Sequence, residues 1–173
     1  MFFQTEEFLN GLDYILPEIQ KIPLYSNKQF NEKFFIDKKM YQNWPGCRSE
    51  ELSRSNKFFA LHFTYLLNNL AILKNVSYDM EMYIHLRTKE DEYKDWIHTD
   101  DNNNLAGLLY LNPTNLESGT QFYTPNKEMV NDIKYVQNRL ILYSGLYNHK
   151  GYGYYGSNPS DGRLTLNMFI TFK

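Results

Sequence analysis

Hydrophobic residues recur with a helical period in two segments of the first half of the chain. In residues 5–19, TEEFLNGLDYILPEI, they form one apolar stripe, with Thr5 as a candidate N-cap and Pro17 near the end. Residues 53–75, SRSNKFFALHFTYLLNNLAILKN, are longer and more apolar. Both segments therefore predict helices, and the Pro45-Gly46 pair predicts a loop between them.

After residue 75 the period changes from helical towards two. Residues 80–88, 105–113 and 138–144 predict strands, and residues 163–172, RLTLNMFITF, alternate most regularly. Helices followed by a string of strands, with no helix between them, predict a mainly β protein with flanking N-terminal helices. An antiparallel sandwich or barrel with the helices on one side is the architecture that this order favours.

Composition narrows the class of protein. With 173 residues, 42% hydrophobic and 17% aromatic, the chain is expected to form a globular domain. It has no apolar run long enough to cross a bilayer, and its acidic beginning does not look like a secretory signal. The net charge of -2 disfavours nucleic acid and anionic membranes as partners. We expect a soluble, cytoplasmic protein, and Cys47, the single cysteine, excludes an intramolecular disulfide.

Three residues in the second half could bind one metal ion. His98 and Asp100 are two positions apart, so on an extended segment their side chains leave the same face. His149 comes just beyond a predicted strand, which could return it to the same place. Two imidazoles and one carboxylate are the ligands of mononuclear iron oxygenase sites. Each residue also has an ordinary explanation, because His-x-Asp is common by chance, Asp100 could begin a turn and His149 could be a loop histidine.

Arg163, at the head of the last predicted strand, adds a fourth element. Thr165 lies on the same face of that strand, two residues further on. An arginine with a neighbouring hydroxyl can hold a carboxylate through a two-pronged, charge-assisted contact. The order of these four residues favours a metal site that also binds an anionic chelating ligand.

The sequence at this point resembles a known family. His98-x-Asp100, then AGLLYLNP, SGTQFY, RLILYSGLYNHKG and DGRLTLNMF, resembles the iron(II)- and 2-oxoglutarate-dependent oxygenases, most closely their prolyl-hydroxylase-like branch, over residues 78–173. The resemblance implies a double-stranded β-helix, a jelly-roll-like antiparallel barrel. It also implies one oxygenase domain over 1–173, with residues 1–75 as mainly helical support and 76–173 as the core that carries the site.

The resemblance also implies the roles of particular residues. His98, Asp100 and His149 would bind Fe(II), and Arg163 with Thr165 would hold the distal carboxylate of 2-oxoglutarate. If helices cover the outer face of one sheet, the polar halves of its strands point into the barrel. The tyrosines Tyr83 and Tyr110 would then be candidates to contact 2-oxoglutarate, and His85 or Arg87 could reach a substrate, although a solvated or structural role is expected for these two. Many members of the branch have lysine where this chain has Arg163.

The activity implied is hydroxylation of a C–H bond with O2, coupled to decarboxylation of 2-oxoglutarate to succinate and CO2. The substrate would be a peptidyl residue, prolyl by resemblance to the branch, or a free amino acid or other small metabolite. A zinc hydrolase could use the same three ligands, but it gives no role to Arg163 and Thr165. A β-barrel binding module without activity is the other alternative. The oligomeric state does not follow from the sequence.

Overall fold

The computed structural model describes residues 2–40, 43–91 and 95–173. The strands are β1 (Phe2–Thr5), β2 (Tyr25–Ser26), β3 (Cys47–Arg48), β4 (Tyr78–Arg87), β5 (Leu105–Tyr110), β6 (Asn115–Tyr123), β7 (Met129–Tyr135), β8 (Leu140–Ser144), β9 (Asn148–Tyr152) and β10 (Arg163–Phe172). The helices are α1 (Leu12–Ile19), α2 (Asn27–Phe34), α3 (Leu52–Ser55) and α4 (Lys57–Asn68), with a 3-10 turn at Lys38–Met40.

The strands form two antiparallel sheets. The larger one has the order β1-β8-β5-β10-β4-β3-β2, and the smaller one has the order β7-β6-β9. A single bridge between His98 and His149 extends the smaller sheet beyond β9. The prediction of a mainly β, antiparallel protein with flanking N-terminal helices is confirmed.

The two faces of β10 explain how the sheet is buried on both sides. Leu164, Leu166, Met168 and Ile170 lie in one hydrophobic cluster with residues of α1 and α4. Arg163, Thr165 and Asn167 alternate with them along the strand, so they point to the opposite face, between the two sheets. Burying the apolar half of the strand under helices therefore turns its polar half inwards, as the alternation predicts.

The space between the sheets is filled mainly by aromatic residues at one end. Tyr110, Tyr135, Phe122 and Tyr143 belong to a second buried cluster, and the rings of Tyr110 and Tyr135 are 4.6 Å apart. Phe122 packs edge-on against Tyr143 with ring centroids 4.9 Å apart. Tyr143 also lines a cavity of about 460 Å³, whose wall includes His98, Asp100, His149 and Arg163.

Both predicted helices are shorter in the structure. The first begins at Leu12, after the N-cap Gly11, because Thr5 belongs to the edge strand that pairs with β8 and residues 6–11 form the connection between them. The second is divided at Asn56, whose side chain accepts a hydrogen bond from the amide of Phe59 and so begins a new helix. None of the helices in the described ranges has the length and apolarity that a membrane crossing requires.

Candidate metal centre

Backbone pairing brings the two candidate histidines together. The amide of His98 donates to the carbonyl of His149 at 3.0 Å, and the amide of His149 donates to the carbonyl of His98 at 2.9 Å. Asp100 is held by a bond from its own amide to the carbonyl of Gly145, at 2.8 Å. One ligand atom from each of His98, Asp100 and His149 lies within 4.8 Å of the others. The structure thus brings the side chains of all three predicted ligands close enough to bind one metal ion.

Each histidine is oriented by a carbonyl of its own chain segment. Nδ1 of His98 lies 2.9 Å from the carbonyl oxygen of Trp96, and Nδ1 of His149 lies 2.9 Å from that of Tyr147. A carbonyl only accepts, so Nδ1 must carry the proton in both rings, which leaves the lone pair on Nε2. Nε2 of His149 points to Asp100, whose Oδ2 is 3.4 Å away. This is the tautomer and orientation that a histidine ligand needs.

Aromatic packing and burial keep His149 neutral. Its ring lies 4.9 Å from that of Tyr143 and 6.1 Å from that of Phe122, and the residue is 5% exposed. Burial lowers the pKa of His149, and the Asp100 carboxylate opposes that shift only in part. Because metals bind the neutral imidazole, the environment of His149 favours the binding form.

Arg163 provides a buried cation in the same cavity. It is 4% exposed, and Nη2 donates to the carbonyl of Gly119 at 3.2 Å and to Oγ1 of Thr120 at 3.3 Å. Its Nε has no hydrogen-bond partner, and among the described residues no carboxylate lies within 4.0 Å of its guanidinium. A buried guanidinium without an acid is costly unless an anion joins it. Arg163 therefore fits a ligand that carries a carboxylate.

The sequence also indicated Tyr110, Thr165 and Tyr83 as candidates to contact 2-oxoglutarate, and their surroundings differ. Tyr110 is close, since its ring centroid is 5.7 Å from the Arg163 guanidinium and its hydroxyl donates to Thr120 at 2.8 Å. Thr165 is buried beside Arg163, but its hydroxyl donates to Oδ1 of Asn167 at 2.6 Å. Tyr83 lines the cavity on the side of β4. Burial raises the pKa of Tyr83 to about 12, so its phenol is neutral.

His85 and Arg87 both have structural partners. Nε2 of His85 lies 2.8 Å from the carbonyl of Pro45, and burial lowers the pKa of this histidine to about 4. Arg87 is fully buried and forms ion pairs with Asp91 and Asp95. Of the solvated or structural roles that we expected for both side chains, these contacts fit the structural one.

Four residues that line the cavity had no role in the sequence analysis. Thr120 lies in SGTQFY and Asn167 in the last strand, so the family-like motifs contained them without distinguishing them. Trp44 and Arg48 lie near the Pro45-Gly46 turn, in a segment that periodicity marks only as a loop. Whether a residue lines the cavity depends on how the strands pair, and a local sequence pattern does not predict that pairing.

Comparisons with known proteins bear on the fold. No family model matches the chain, and neither does any curated protein. A prolyl-4-hydroxylase from Pseudomonas putida is similar in structure, with a TM-score of 0.57 and 14% identity over 99% of this chain and 92% of that one. The epimerase SnoN of nogalamycin biosynthesis, in complex with Fe3+, alpha ketoglutarate and nogalamycin RO, gives a TM-score of 0.64 at 10% identity, over 98% and 78%.

A third similar structure is a prolyl hydroxylase from Trichoplax adhaerens in complex with a peptide fragment of hypoxia inducible factor. It gives a TM-score of 0.58 at 13% identity, covering 98% of this chain and 83% of that one. At such identities the likeness establishes the fold. The chain therefore has the double-stranded β-helix fold of the 2-oxoglutarate-dependent oxygenases, as its sequence motifs predicted.

Proposed function

We propose that the protein is an Fe(II)- and 2-oxoglutarate-dependent dioxygenase that hydroxylates a C–H bond. The observation that carries this proposal is the pairing, in one cavity, of a two-histidine, one-carboxylate group with the buried guanidinium of Arg163, which has no carboxylate within 4.0 Å among the described residues. Two histidines and one carboxylate are the ligands of non-haem Fe(II) oxygenases, and they leave positions at the metal for a co-substrate and O2. The guanidinium of Arg163 is a group that binds a carboxylate.

His98, Asp100 and His149 would hold the iron. The Nδ1 protons of both imidazoles are used on backbone carbonyls, so both Nε2 atoms are free to bind. When bound, iron and 2-oxoglutarate supply the oxidising chemistry with O2, in which 2-oxoglutarate yields succinate and CO2. The protein contributes binding, orientation and exclusion of water.

Arg163 would bind the distal carboxylate of 2-oxoglutarate, and hydroxyl groups would complete the contact. Thr120 Oγ1 accepts from both Tyr110 and Arg163, so its own proton is available to a carboxylate oxygen. Tyr110 holds Thr120 in that orientation. Thr165 remains a candidate for the same contact, although its proton is used on Asn167 in this structure.

A zinc hydrolase is less well supported by the cavity. The cavity has two acidic side chains among its described lining residues, Asp95 and Asp100. Asp100 belongs to the metal group, while Asp95 accepts from Arg87 and from the amide of Gly151. Neither carboxylate is free to act as a general base towards a metal-bound water. An inactive binding module would have no use for the oriented Nε2 atoms.

The substrate that we propose is a peptidyl residue or a small molecule. The solved structures support both, because one similar protein is a prolyl hydroxylase in complex with a peptide fragment and another is an epimerase in complex with nogalamycin RO. The net charge of -2 gives no support to a nucleic-acid substrate. The cytoplasmic location stays a prediction.

An anaerobic titration tests the proposal. The apoprotein is titrated with Fe(II) and then with 2-oxoglutarate while the visible metal-to-ligand charge-transfer band is recorded. We expect the band in the wild type and in Arg54→Met, a control at an exposed arginine of α3. We expect Arg163→Met to need at least tenfold more 2-oxoglutarate. Iron binding without any band would contradict the co-substrate assignment and favour the hydrolase or the binding module.

A further inference from the structure

The carboxylate of Asp95 joins the segment that carries His98 to strand β9. Its Oδ2 accepts from the amide of Gly151 at 3.1 Å, and its Oδ1 accepts from Nη1 of Arg87. The Asp95 side chain is 13% exposed. Because each oxygen binds a different donor, the carboxylate is held in one orientation between β4 and β9.

This contact replaces the pairing that a regular strand would make. His98 forms an antiparallel bridge with His149. The next hydrogen-bonded pair of such a ladder would set Trp96 opposite Gly151, and the amide of Gly151 would donate to the carbonyl of Trp96. In the structure the chain before His98 is not a strand, and that amide donates to the side chain of Asp95 instead.

The carbonyl of Trp96 is thereby available for His98. It lies 2.9 Å from Nδ1 of His98 and accepts the proton of that nitrogen. This bond fixes the tautomer that leaves the lone pair of Nε2 for a metal ion. His149 does not depend on the exchange of partners, because its own Nδ1 proton goes to the carbonyl of Tyr147.

Arg87 and Tyr154 support the same arrangement. The guanidinium of Arg87 lies 3.9 Å from the ring centroid of Tyr154, whose hydroxyl donates to the carbonyl of Gly151 at 2.9 Å. Side chains that contact Arg87 therefore satisfy both the amide and the carbonyl that Gly151 would otherwise exchange with Trp96. The break in the ladder leaves neither of these two groups of Gly151 unpaired.

Gly151 also leaves the space that the Asp95 carboxylate occupies. A Cβ atom at position 151 would lie 2.5 Å from Oδ2 of Asp95, which is closer than such atoms can approach. The φ angle of Gly151 is not in the left-handed region, so the backbone itself does not require a glycine. A small residue is needed here because the carboxylate approaches the backbone closely.

We propose that Asp95 is a positioning residue of the metal centre. By accepting the amide of Gly151, it leaves the carbonyl of Trp96 to orient His98. This inference rests on the proposed iron site and adds to it a group that is not itself one of the three ligands. The role requires two carboxylate oxygens, one for Arg87 and one for Gly151.

Asp91 offers a matched control. Its side chain is also 13% exposed, and it pairs with the same guanidinium, that of Arg87. Its remaining bonds are to the amide and the hydroxyl of Thr88. Asp91→Asn and Asp95→Asn therefore each remove one acid from Arg87, but only Asp95→Asn changes the group that faces Gly151.

The tautomer of His98 is the direct readout, and it needs no metal. Asparagine has one side-chain oxygen, so in Asp95→Asn the amide of Gly151 is left to compete for the carbonyl of Trp96. We expect His98 to shift towards the tautomer with a protonated Nε2, while wild type and Asp91→Asn keep the proton on Nδ1.

NMR of the nitrogen-labelled, metal-free proteins at about pH 8, above the ordinary histidine pKa of about 6.5, distinguishes the two tautomers. His149 should keep its Nδ1 proton in all of these proteins. His85 is an internal reference for the opposite tautomer, because its Nε2 donates to the carbonyl of Pro45. A change confined to His98 separates the proposed role from a general loss of structure.

Iron affinity is the second readout. In anaerobic calorimetry, Asp95→Asn should bind Fe(II) about tenfold more weakly than Asp91→Asn does. Gly151→Ala should have a similar effect on iron and on the His98 tautomer, because its methyl group displaces the carboxylate. The two changes act through one contact, so the double variant should lose less than the sum of the single losses.

The outcomes separate this proposal from the proposed function. Equal iron affinities of Asp95→Asn and Asp91→Asn, or an unchanged His98 tautomer in Asp95→Asn, would overturn the role of Asp95. If circular dichroism shows that Asp95→Asn does not fold, Gly151→Ala decides by the same two readouts. A 2-oxoglutarate band together with equal iron affinities would leave the oxygenase and remove this role. Iron binding that depends on Asp95, without any band, would do the opposite.

Discussion

Arg163 on β10 and Arg87 on β4 are direct partners across an antiparallel strand pair, but their surroundings are opposite. Both are buried. The guanidinium of Arg87 forms ion pairs with Asp91 and Asp95 and lies 3.9 Å from the ring centroid of Tyr154. Arg163 has no carboxylate within 4.0 Å of its guanidinium among the described residues. One arginine is therefore structural, and its neighbour is available for a ligand.

The first prediction compares methionine substitutions at these two arginines. Arg87→Met should reduce the free energy of unfolding by about 3–5 kcal/mol, because Asp91 and Asp95 are then left as largely buried charges without their cation. Arg163→Met should cost no more than about 1 kcal/mol, since it removes a buried charge that has no acid. Urea denaturation of the metal-free proteins measures both changes. A larger loss for Arg163→Met than for Arg87→Met would show that the structural and ligand-binding roles are reversed.

The second prediction concerns the metal ligands. His98→Ala and Asp100→Ala should each weaken Fe(II) binding by more than the 10–100-fold typical of removing a group that only orients a ligand. Anaerobic isothermal titration calorimetry with Fe(II) measures this. His62→Ala, on α4, is the control and should bind Fe(II) like the wild type. Equal binding by the wild type and Asp100→Ala would exclude the three-residue site.

The third prediction separates two hydroxyl groups near Arg163. Thr120→Val removes an oxygen that accepts from Arg163 and Tyr110, whereas Thr165→Val removes one that donates to Asn167. We expect Thr120→Val to raise the 2-oxoglutarate requirement about tenfold and Thr165→Val to raise it less. The charge-transfer band measures both. The reverse order would favour the assignment of Thr165 that the family resemblance implies.

The fourth prediction is a pH dependence that comes from His85. Its pKa is about 4 in the fold against 6.5 ordinarily, so between these values the unfolded chain binds more protons. The contribution of neutral His85 to the free energy of unfolding is therefore fully present above pH 6.5 and is lost as the pH falls towards 4. The loss amounts to roughly 3 kcal/mol of that free energy. Urea denaturation at pH 7 and pH 4.5 should show a smaller drop for His85→Gln than for the wild type.

A matched variant keeps that comparison specific. His62→Gln changes a histidine outside the cavity and should follow the wild-type pH dependence. Glutamine at position 85 can still donate an N–H to the carbonyl of Pro45, so the packing contact is largely retained. If His85→Gln lost as much stability as the wild type on acidification, the pH dependence would come from other groups.

Some of the site could be predicted because it depends on short-range patterns. Strict alternation along residues 163–172 put the apolar side chains on one face and Arg163 and Asn167 on the other, and the family resemblance implied that the second face lies inside, where the structure has it. The spacing of His98 and Asp100 made them neighbours on any extended segment. The helix boundaries were less accurate, because the first residues of the predicted helix 5–19 lie in the β1 edge strand and the loop that follows it.

Other properties of the site exist only in three dimensions. The sequence shows Arg87 and Arg163 as equivalent cations. Only the tertiary structure shows that Arg87 forms ion pairs with two aspartates, while Arg163 forms none with the acids of the described residues. The contact of Thr120 with Arg163 is likewise visible only in the tertiary structure, because Thr120 lies in the opposite sheet and accepts a hydrogen bond from the Arg163 guanidinium. Charge and hydrogen-bond partners depend on contacts between residues far apart in the chain, and a local periodicity contains no information about them.

The amino-acid sequence by itself determined the class of fold, the order of the candidate metal ligands and the fact that Arg163 and Thr165 share one face of the last strand, because each follows from a period of two and from motif order. The tertiary structure alone decided which tautomer each of the two candidate histidine ligands adopts and which buried arginine forms no ion pair among the described residues. The physical reason is that side-chain alternation is set by neighbouring residues, whereas burial and ion pairing are set by the packing of the two sheets.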